Sequence, residues 1–360
     1  YVALCDTSAS HDPKYTINFG QRAFSHTIPT GYKKLCSANL PDPTIKDPTK
    51  YFNTAKYTGT GSSHAITGVG FQPDNVIVKM RDTANQDFQN FDSARGANKV
   101  LRWNTLETSD PQTTRFTSFD SDGFTVGTEN ITNQSSKPFV YWAWKESASA
   151  GFDIVTYSGD GNSGRSVSHS LGVIPEMMIT KRLTNSDPWV VYHKAMDADE
   201  YVMINSVDDD DNTKSYYSGT RPTSSVFTLG DNNGTNGSGQ DYITYLWASV
   251  EGMCKVSSYN GNNDSDGPFL YTGFKPSFFL VKNTNDNETW GVYDDARGVN
   301  QENPYFSTTG YNNGVELTDR DIDLYSNGIK PRNSHNMVNQ TDTYIYLAMA
   351  RSPFKYSNAG

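Results

Sequence analysis

Cysteine is scarce in this sequence, whose 360 residues include only Cys5, Cys36 and Cys254. Three thiols are too few for a disulfide framework and their spacing matches no zinc motif, so both kinds of scaffold are excluded. Cys5 and Cys36 could meet on neighbouring strands. We expect buried free thiols instead, because an unpaired cysteine behaves as a small apolar residue. An odd number of cysteines also fits folding in a reducing cytoplasm.

Long apolar runs and clusters of basic residues are also missing. No segment approaches the roughly 20 apolar residues that a membrane-spanning helix needs, and residues 1–15 lack the charged start and apolar centre of a signal peptide. The formal net charge is -10 without any Lys/Arg run, which argues against nucleic acid and against membrane insertion. The first residue is not Met, as expected for a piece of a longer protein.

Helical periodicity is weak along the whole chain. Gly, Pro or Asn interrupts every apolar stripe that could form one face of a helix. The 22 Tyr and 18 Phe, set among many Asn, Asp, Ser, Thr and Gly, are typical of strands joined by tight turns. We therefore predict an all-β protein with almost no helix.

One ten-residue pattern occurs three times, as GFQPDNVIVK, GVIPEMMITK and GFKPSFFLVK, starting at Gly70, Gly172 and Gly273. A Tyr-polar-Gly turn precedes each copy, and an aromatic-led segment, a hydrophobic-Gly strand end and an aromatic final strand follow it. The period of about 100 residues allows each repeat to bury its own core, unlike the shorter repeats of solenoids. We predict three homologous domains after a distinct segment, and we name them by their residues: the N-terminal segment (1–50), unit 1 (51–150), unit 2 (151–252) and unit 3 (253–360).

Each unit contains about seven short apolar segments separated by turn signals, which predicts tandem antiparallel β-sandwich domains of jelly-roll or lectin-like type. The ten-residue pattern is interpreted as a turn that enters a central strand, in which Ile77 faces away from Val76 and Val78. The lysine that ends each copy is expected to point to solvent or to pair locally; these are Lys79, Lys181 and Lys282.

Catalytic motifs are absent from the sequence. It contains no nucleophile elbow, phosphate loop, zincin pair or dinucleotide-binding glycines, and its six histidines do not repeat with the units. Carboxylates are frequent enough for a glycosidase pair, but no acidic position recurs in all three units. We therefore predict a protein without enzymatic activity and without a cofactor.

Two of the three units share an Asp-Arg pair, Asp92 with Arg95 and Asp294 with Arg297, where unit 2 has His193 and Met196. The pair could bind a sugar or an acidic sugar, but we favour a structural pair that ties a loop to its own domain. Trp142 and Trp144 lie on one face of a strand and are interpreted as core residues. The candidate glycan-binding residues are Trp103, Arg95 and Arg297.

Three Asp/Asn-rich segments resemble calcium loops: residues 118–124, 208–212 and 260–267. The third has Gly273 where an EF-hand requires its bidentate Glu, which excludes an EF-hand. Asp and Asn before Gly are also common in hairpin turns. A structural calcium ion therefore remains an open alternative at these loops.

Residues 15–41, YTINFGQRAFSHTIPTGYKKLCSANLP, resemble the C-terminal strands of a SPRY-type sandwich. The units resemble a phage-associated β-domain of unassigned function, marked by YTG-x-G, GFQPD, FDS-x-RG, SDGF and AWAWK motifs, most of which unit 1 contains. The resemblance implies a phage virion protein of tail-fibre or capsid-fibre type, assembled in the host cytoplasm and exposed on the virion surface. It also implies a homotrimer, other virion proteins as partners, and a host cell-surface glycan as a possible ligand.

The function predicted from the sequence is host attachment or virion architecture. Two alternatives stay open: a polysaccharide depolymerase of a phage tail, and a bacterial surface or filament protein. The segments that differ most between units are candidate recognition loops; they are residues 97–118, 197–224 and 299–322.

Overall fold

The computed structural model describes residues 22–24, 26–208, 210–298, 304–309 and 315–357. This part of the chain is all-β: it contains 25 strands in antiparallel sheets and three α-helices of four residues each. None of its helices has the length and apolarity that crossing a membrane would require. The prediction of an all-β protein with almost no helix is confirmed.

Unit 1 consists of a large and a small antiparallel sheet. Its strands are β1 (Phe52–Thr58), β2 (His64–Thr67), β3 (Asn75–Met80), β4 (Gln89–Asp92), β5 (Lys99–Arg102), β6 (Asp110–Pro111), β7 (Phe116–Asp120), β8 (Gly123–Val126) and β9 (Pro138–Trp144), with α1 (Asn130–Asn133) before β9. The large sheet has the order β1-β9-β3-β4-β5-β6, and the small sheet has the order β2-β8-β7.

Units 2 and 3 repeat this topology. Unit 2 contains β10 (Phe152–Ser158), β11 (Arg165–Ser168), β12 (Met177–Arg182), β13 (Val190–His193), β14 (Glu200–Met203), β15 (Asp211–Asn212), α2 (Lys214–Tyr217), β16 (Val226–Leu229), α3 (Asn233–Asn236) and β17 (Asp241–Trp247). Unit 3 contains β18 (Cys254–Asn260), β19 (Leu270–Tyr271), β20 (Phe274–Asn283), β21 (Gly291–Asp294), β22 (Tyr305–Ser307), β23 (Ile322–Tyr325), β24 (Gly328–Pro331) and β25 (Thr343–Pro353).

The large sheets have the orders β10-β17-β12-β13-β14-β15 in unit 2 and β18-β25-β20-β21-β22 in unit 3. The small sheets are β11-β16 and β19-β24-β23. In each unit the two sheets enclose a hydrophobic core of their own, so each unit is a β-sandwich.

The ten-residue pattern forms a central strand of each large sheet, as predicted. In unit 1, β3 pairs with both β9 and β4, and all six of its residues are buried. Val76 and Val78 face the core of unit 1, whereas Ile77 faces the opposite side of the sheet. Successive side chains of the strand point to opposite faces of the sheet. Both faces of this strand are apolar because both sides of the sheet are covered.

A fourth hydrophobic core lies between the three units and contains residues from all of them. At its centre Trp144 of unit 1 packs edge-on against Trp247 of unit 2, with ring centroids 6.5 Å apart. Phe278 of unit 3 packs edge-on against Trp144 at 5.6 Å. The large sheets therefore surround a common core, and the units do not bury their apolar surface independently.

The Tyr-polar-Gly landmark is a structural device that recurs in every unit. The hydroxyls of Tyr57, Tyr157 and Tyr259 donate to the carbonyl that precedes a buried asparagine. That asparagine is Asn133, Asn236 or Asn339, and its side-chain amide bonds the backbone of the turn after the tyrosine. The glycine of the turn is required by space, since a Cβ at Gly261 would lie 1.8 Å from the Gln340 carbonyl oxygen.

The described part of the N-terminal segment contains two 3-10 turns, Ser37–Asn39 and Pro48–Lys50, and no strand. The sequence that resembles a SPRY-type sandwich, residues 15–41, is described at 22–24 and 26–41, and these residues form bends and turns without a strand. Cys5 and residues 15–21 lie outside the described residues. Cys254 is buried as expected, but Cys36 is exposed, because the segment around it lies on the surface.

Candidate functional site

The three candidate glycan-binding residues are all buried. Trp103 is 3% exposed and belongs to the central core. The side chain of Arg297 is 0% exposed and that of Arg95 is 3% exposed. Their placement differs from the exposed surface expected of a glycan site, and glycan binding by these residues stays a prediction. Trp142 and Trp144 are buried too, which confirms their interpretation as core residues.

The two Asp-Arg pairs lie at interfaces between units. Asp92 accepts hydrogen bonds from Arg95 Nε at 2.7 Å and, across the interface, from the Tyr245 hydroxyl of unit 2 at 2.7 Å. Asp294 accepts from Arg297 Nε at 2.7 Å and from Trp142 Nε1 of unit 1 at 3.0 Å. Each pair thus ties its own loop, as favoured from the sequence, and also binds the neighbouring unit.

Unit 2 has His193 in place of the aspartate, and this histidine is fully buried. Its Nδ1 accepts a hydrogen bond from the Ala195 amide, and the backbone of Tyr346 in unit 3 lies against the ring. Burial lowers the pKa of His193 to about 3, although the Tyr346 backbone favours the protonated ring. The interface between units 2 and 3 therefore contains a neutral imidazole. The other two interfaces between units contain an ion pair at the same position.

The contacts form a closed cycle around the central core. Trp189 Nε1 of unit 2 donates to the Arg102 carbonyl of unit 1 at 2.8 Å. Trp290 Nε1 of unit 3 donates to the Met203 carbonyl of unit 2 at 2.9 Å. Phe88 is the corresponding residue of unit 1, and it packs against Phe306 of unit 3 at 5.7 Å. Unit 3 therefore returns to unit 1 and closes the ring.

Sequence analysis missed these interface aromatics. Trp189 and Trp290 each follow the lysine of the ten-residue pattern by eight residues, and Phe88 follows Lys79 by nine. This spacing was a usable signal for a repeated structural role. It could not show that the partner is another unit, because the backbone carbonyls that accept these bonds carry no sequence signature.

The lysines of the ten-residue pattern are buried at the same interfaces, which contradicts the expected direction toward solvent. The expected local pairing is seen, since each ammonium group also donates to a carbonyl of its own unit: that of Met80, Asp187 or Glu288. Lys181 Nζ donates to the Leu106 carbonyl of unit 1 at 2.9 Å, and Lys282 Nζ donates to the Val207 carbonyl of unit 2 at 3.2 Å. Lys79 Nζ lies 5.1 Å from the ring centroid of Phe306 in unit 3. The lysines point away from solvent because the preceding unit of the cycle covers the side of the strand that carries them.

Burial lowers the pKa of Lys79 to about 7 and that of Lys181 to about 8, while nearby carboxylates oppose the shift. For Lys79, the folded protein releases the proton near pH 7, whereas the unfolded chain keeps it until about pH 10.5. Between these two pH values, Lys79 therefore binds a proton when the chain unfolds. The free energy of unfolding therefore rises with pH from about 7 to about 10.5 and loses this dependence below pH 7.

We predict that Lys79→Met flattens the pH dependence of stability between pH 8 and 9.5. Chemical denaturation should show a slope that is lower than that of the unsubstituted protein by about 1 kcal/mol per pH unit. Lys56 is exposed, so Lys56→Met is the matched control and should leave the slope unchanged. Equal slopes for Lys79→Met and the unsubstituted protein would show that Lys79 stays protonated in the folded state.

The candidate recognition loops also take part in the interfaces. The loops at residues 97–118 and 197–224 supply the carbonyls of Leu106 and Val207 to the lysines of the next unit. These two residues are 50% and 37% exposed. In the third loop, residues 299–303 and 310–314 lie outside the described residues.

The Asp/Asn-rich segments use their carboxylates to hold turns. Asp122 accepts the amides of Gly68 and Gly70 at 3.1 and 2.8 Å, and Asp266 forms an ion pair with Lys330 at 2.8 Å. Among the described residues, no group of three or more His, Cys, Asp or Glu is arranged to hold a metal ion. Position 209 in the second segment lies outside them, and structural calcium stays a prediction.

A surface groove of about 650 Å³ lies where the loop of Val207 meets unit 3, and its lining includes Glu288, Asp319 and His335. His335 Nδ1 lies 3.9 Å from Glu288 Oε2, and burial lowers the pKa of this histidine to about 4. The groove thus combines two carboxyl groups with a neutral imidazole. It is the place where the depolymerase alternative can be tested.

Comparison with known proteins adds a family assignment. The model of a family described as a domain of unknown function, DUF7483, matches residues 47–353. This match covers all three units as one stretch. No curated protein matches the chain.

Proposed function

Since the chain belongs to the DUF7483 family of domains of unknown function, we propose its function from its architecture and from the sequence resemblance. The protein is a non-enzymatic structural and adhesion module of a phage appendage, such as a tail fibre or capsid fibre. It acts on the virion surface and holds host-facing surfaces in fixed positions.

The observation that carries this proposal is the location of the repeated residues. The lysines and the aromatics after them recur in all three units and the Asp-Arg pairs recur in two, and these residues lie in the contacts between units. Buried polar contacts of this kind, when satisfied, favour one rigid arrangement. A protein that displays binding surfaces needs residues that hold its units in a fixed arrangement, and the repeated residues do this. In an enzyme, the characteristic polar residues would instead surround a substrate.

The closed cycle bears on the predicted homotrimer. Within one chain, three units already surround one apolar core. A homotrimer of this chain would have to use surfaces other than the central core. Sedimentation of the purified chain measures its oligomeric state directly.

Virion location is tested by electron microscopy of native particles labelled with an antibody to the purified chain. Label on tails or capsid fibres is expected, and particles without label would contradict the proposal. The enzyme alternative needs a second assay, in which purified protein is incubated with host polysaccharide and chain length is followed. No shortening is expected; release of oligosaccharide that is lost in Glu288→Gln and Asp319→Asn would establish a depolymerase.

A further inference from the structure

The outer face of the small sheet in unit 3 has exposed aromatic side chains. Phe269 is 47% exposed and Tyr271 is 61% exposed. Both flank Leu270, which points inward to the core of unit 3, so strand alternation places the two rings on the same outer face. Large exposed aromatics at adjacent positions of one face are unusual in a protein surface and mark contact sites.

The other two units show that the fold does not require these rings. The sheet register aligns Leu270 with Ile66 of unit 1 and Val167 of unit 2, since each pairs with the inward-facing residue of the next strand. The positions of Phe269 and Tyr271 are then occupied by Ala65 and Thr67 in unit 1 and by Ser166 and Ser168 in unit 2. Two units build the same sheet with small side chains, so the aromatic residues of unit 3 serve something other than folding.

The rings form a platform above a glycine. Gly328 pairs with Tyr271 on one side and with Tyr325 on the other. The Phe269 ring lies directly over Gly328, because a Cβ built there would be 2.5 Å from Phe269 Cζ. The centroids of Phe269 and Tyr325 are 6.0 Å apart. Glycine therefore provides the space that lets an aromatic side chain lie along the sheet.

A network of paired charges borders the platform. Arg332 Nε donates to Asp323 Oδ2 at 2.6 Å, and its Nη1 donates to Asp266 Oδ1 at 3.1 Å. Lys330 Nζ lies 2.8 Å from Asp266 Oδ1. The Tyr325 hydroxyl donates to Asp323 Oδ2 at 2.9 Å and accepts from Arg332 Nη2. Two cations and two carboxylates balance each other, so the border offers hydrogen-bond donors and acceptors without net charge.

We propose that this outer face, formed by Phe269, Tyr271, Tyr325, Asp323 and Arg332, binds neutral saccharide units of a glycan chain. A sugar ring has an apolar face of C–H groups that can stack on an exposed aromatic ring, and hydroxyls at its edge that need donors and acceptors together. The balanced border matches a neutral ligand, whereas an anionic glycan would require excess positive charge. This inference rests on the proposed adhesion function and names its ligand class.

The test uses the whole chain and the residues that unit 2 has at the same positions. Phe269→Ser combined with Tyr271→Ser keeps the sheet within what the fold accepts in unit 2. Binding is measured on an array of neutral gluco-, galacto- and manno-oligosaccharides beside acidic ones, and the best neutral oligosaccharide is then titrated by calorimetry. The unsubstituted protein should bind neutral oligosaccharides, and the double variant should bind at least about tenfold more weakly.

Two further variants make the result interpretable. Tyr32 is 74% exposed and lies in the N-terminal segment, so Tyr32→Ser should leave binding unchanged. Tyr271→Ser alone removes a ring that is mostly in solvent, and it should weaken binding even if the double variant is poorly folded.

Binding of neutral glycan at this face is refuted if no neutral oligosaccharide binds or if only acidic ones bind. It is also refuted if Tyr271→Ser and the double variant bind as well as the unsubstituted protein. The last result would leave the adhesion function intact and move its site elsewhere. Failure of the proposed function itself is seen separately, as oligosaccharide release or as unlabelled virions.

Discussion

Replacing Asp294 with alanine is expected to lower the free energy of unfolding by about 3–5 kcal/mol. Asp294 is fully buried and accepts hydrogen bonds from the amide and Nε of Arg297 and from Trp142 Nε1. Its removal leaves the guanidinium of Arg297, whose side chain is 0% exposed, with Glu316 as its remaining carboxylate at a longer distance of 3.8 Å from Nη1 to Oε1. Chemical denaturation of the full chain measures this loss.

Unit 2 provides the control for this prediction. It has His193 and Met196 at the positions of Asp294 and Arg297, so the fold accepts this neutral combination at one interface. The double variant Asp294→His with Arg297→Met should therefore lose less stability than Asp294→Ala, because no charge is left buried alone. If the double variant is at least as unstable as the single variant, the stranded-charge explanation is wrong.

Replacing Trp142 with alanine should cost a similar amount, about 3–5 kcal/mol, because a large aromatic side chain leaves a cavity in a packed core. Trp142 is 1% exposed, and its ring lies 6.2 Å from that of Phe278 and 6.1 Å from that of Phe306, both in unit 3. Its hydrogen bond to Asp294 is lost as well. The substitution therefore weakens unit 1 and its contact with unit 3 together.

Because the units share the central core, the chain should unfold in one transition that Trp142→Ala moves as a whole to lower denaturant concentration. The exposed Leu106 is the control, and Leu106→Ala should change the free energy of unfolding by no more than about 0.5 kcal/mol. Residues 151–252 expressed alone should fail to fold cooperatively. Separate transitions, with only one affected by Trp142→Ala, would show that the units are independent.

Local sequence was sufficient for much of the fold. Alternation of apolar residues in the ten-residue pattern identified a buried central strand and separated Ile77 from Val76 and Val78, as the structure confirms. The Tyr-polar-Gly turn was recognised as a repeated landmark, although the asparagine that secures it was missed. The repeated Asn at 133, 236 and 339 was a visible signal for that role.

Local sequence did not show whether the polar side chains would be buried or exposed. Lys79, Lys181 and Lys282 follow an apolar strand, and a lysine in that position normally reaches solvent. The structure buries them because another unit covers the strand. The same covering places Trp103, Arg95 and Arg297 inside the molecule instead of on a binding surface.

The sequence by itself determined the all-β class, the strands and the threefold repetition, because turn chemistry and the two-residue periodicity of strands act over a few neighbouring residues. Only the tertiary structure decided that the three large sheets enclose one core, and that the outer face of unit 3 differs from its two counterparts. The shared core depends on contacts between residues 87 to 153 positions apart in the chain, and no local pattern specifies which surfaces will meet.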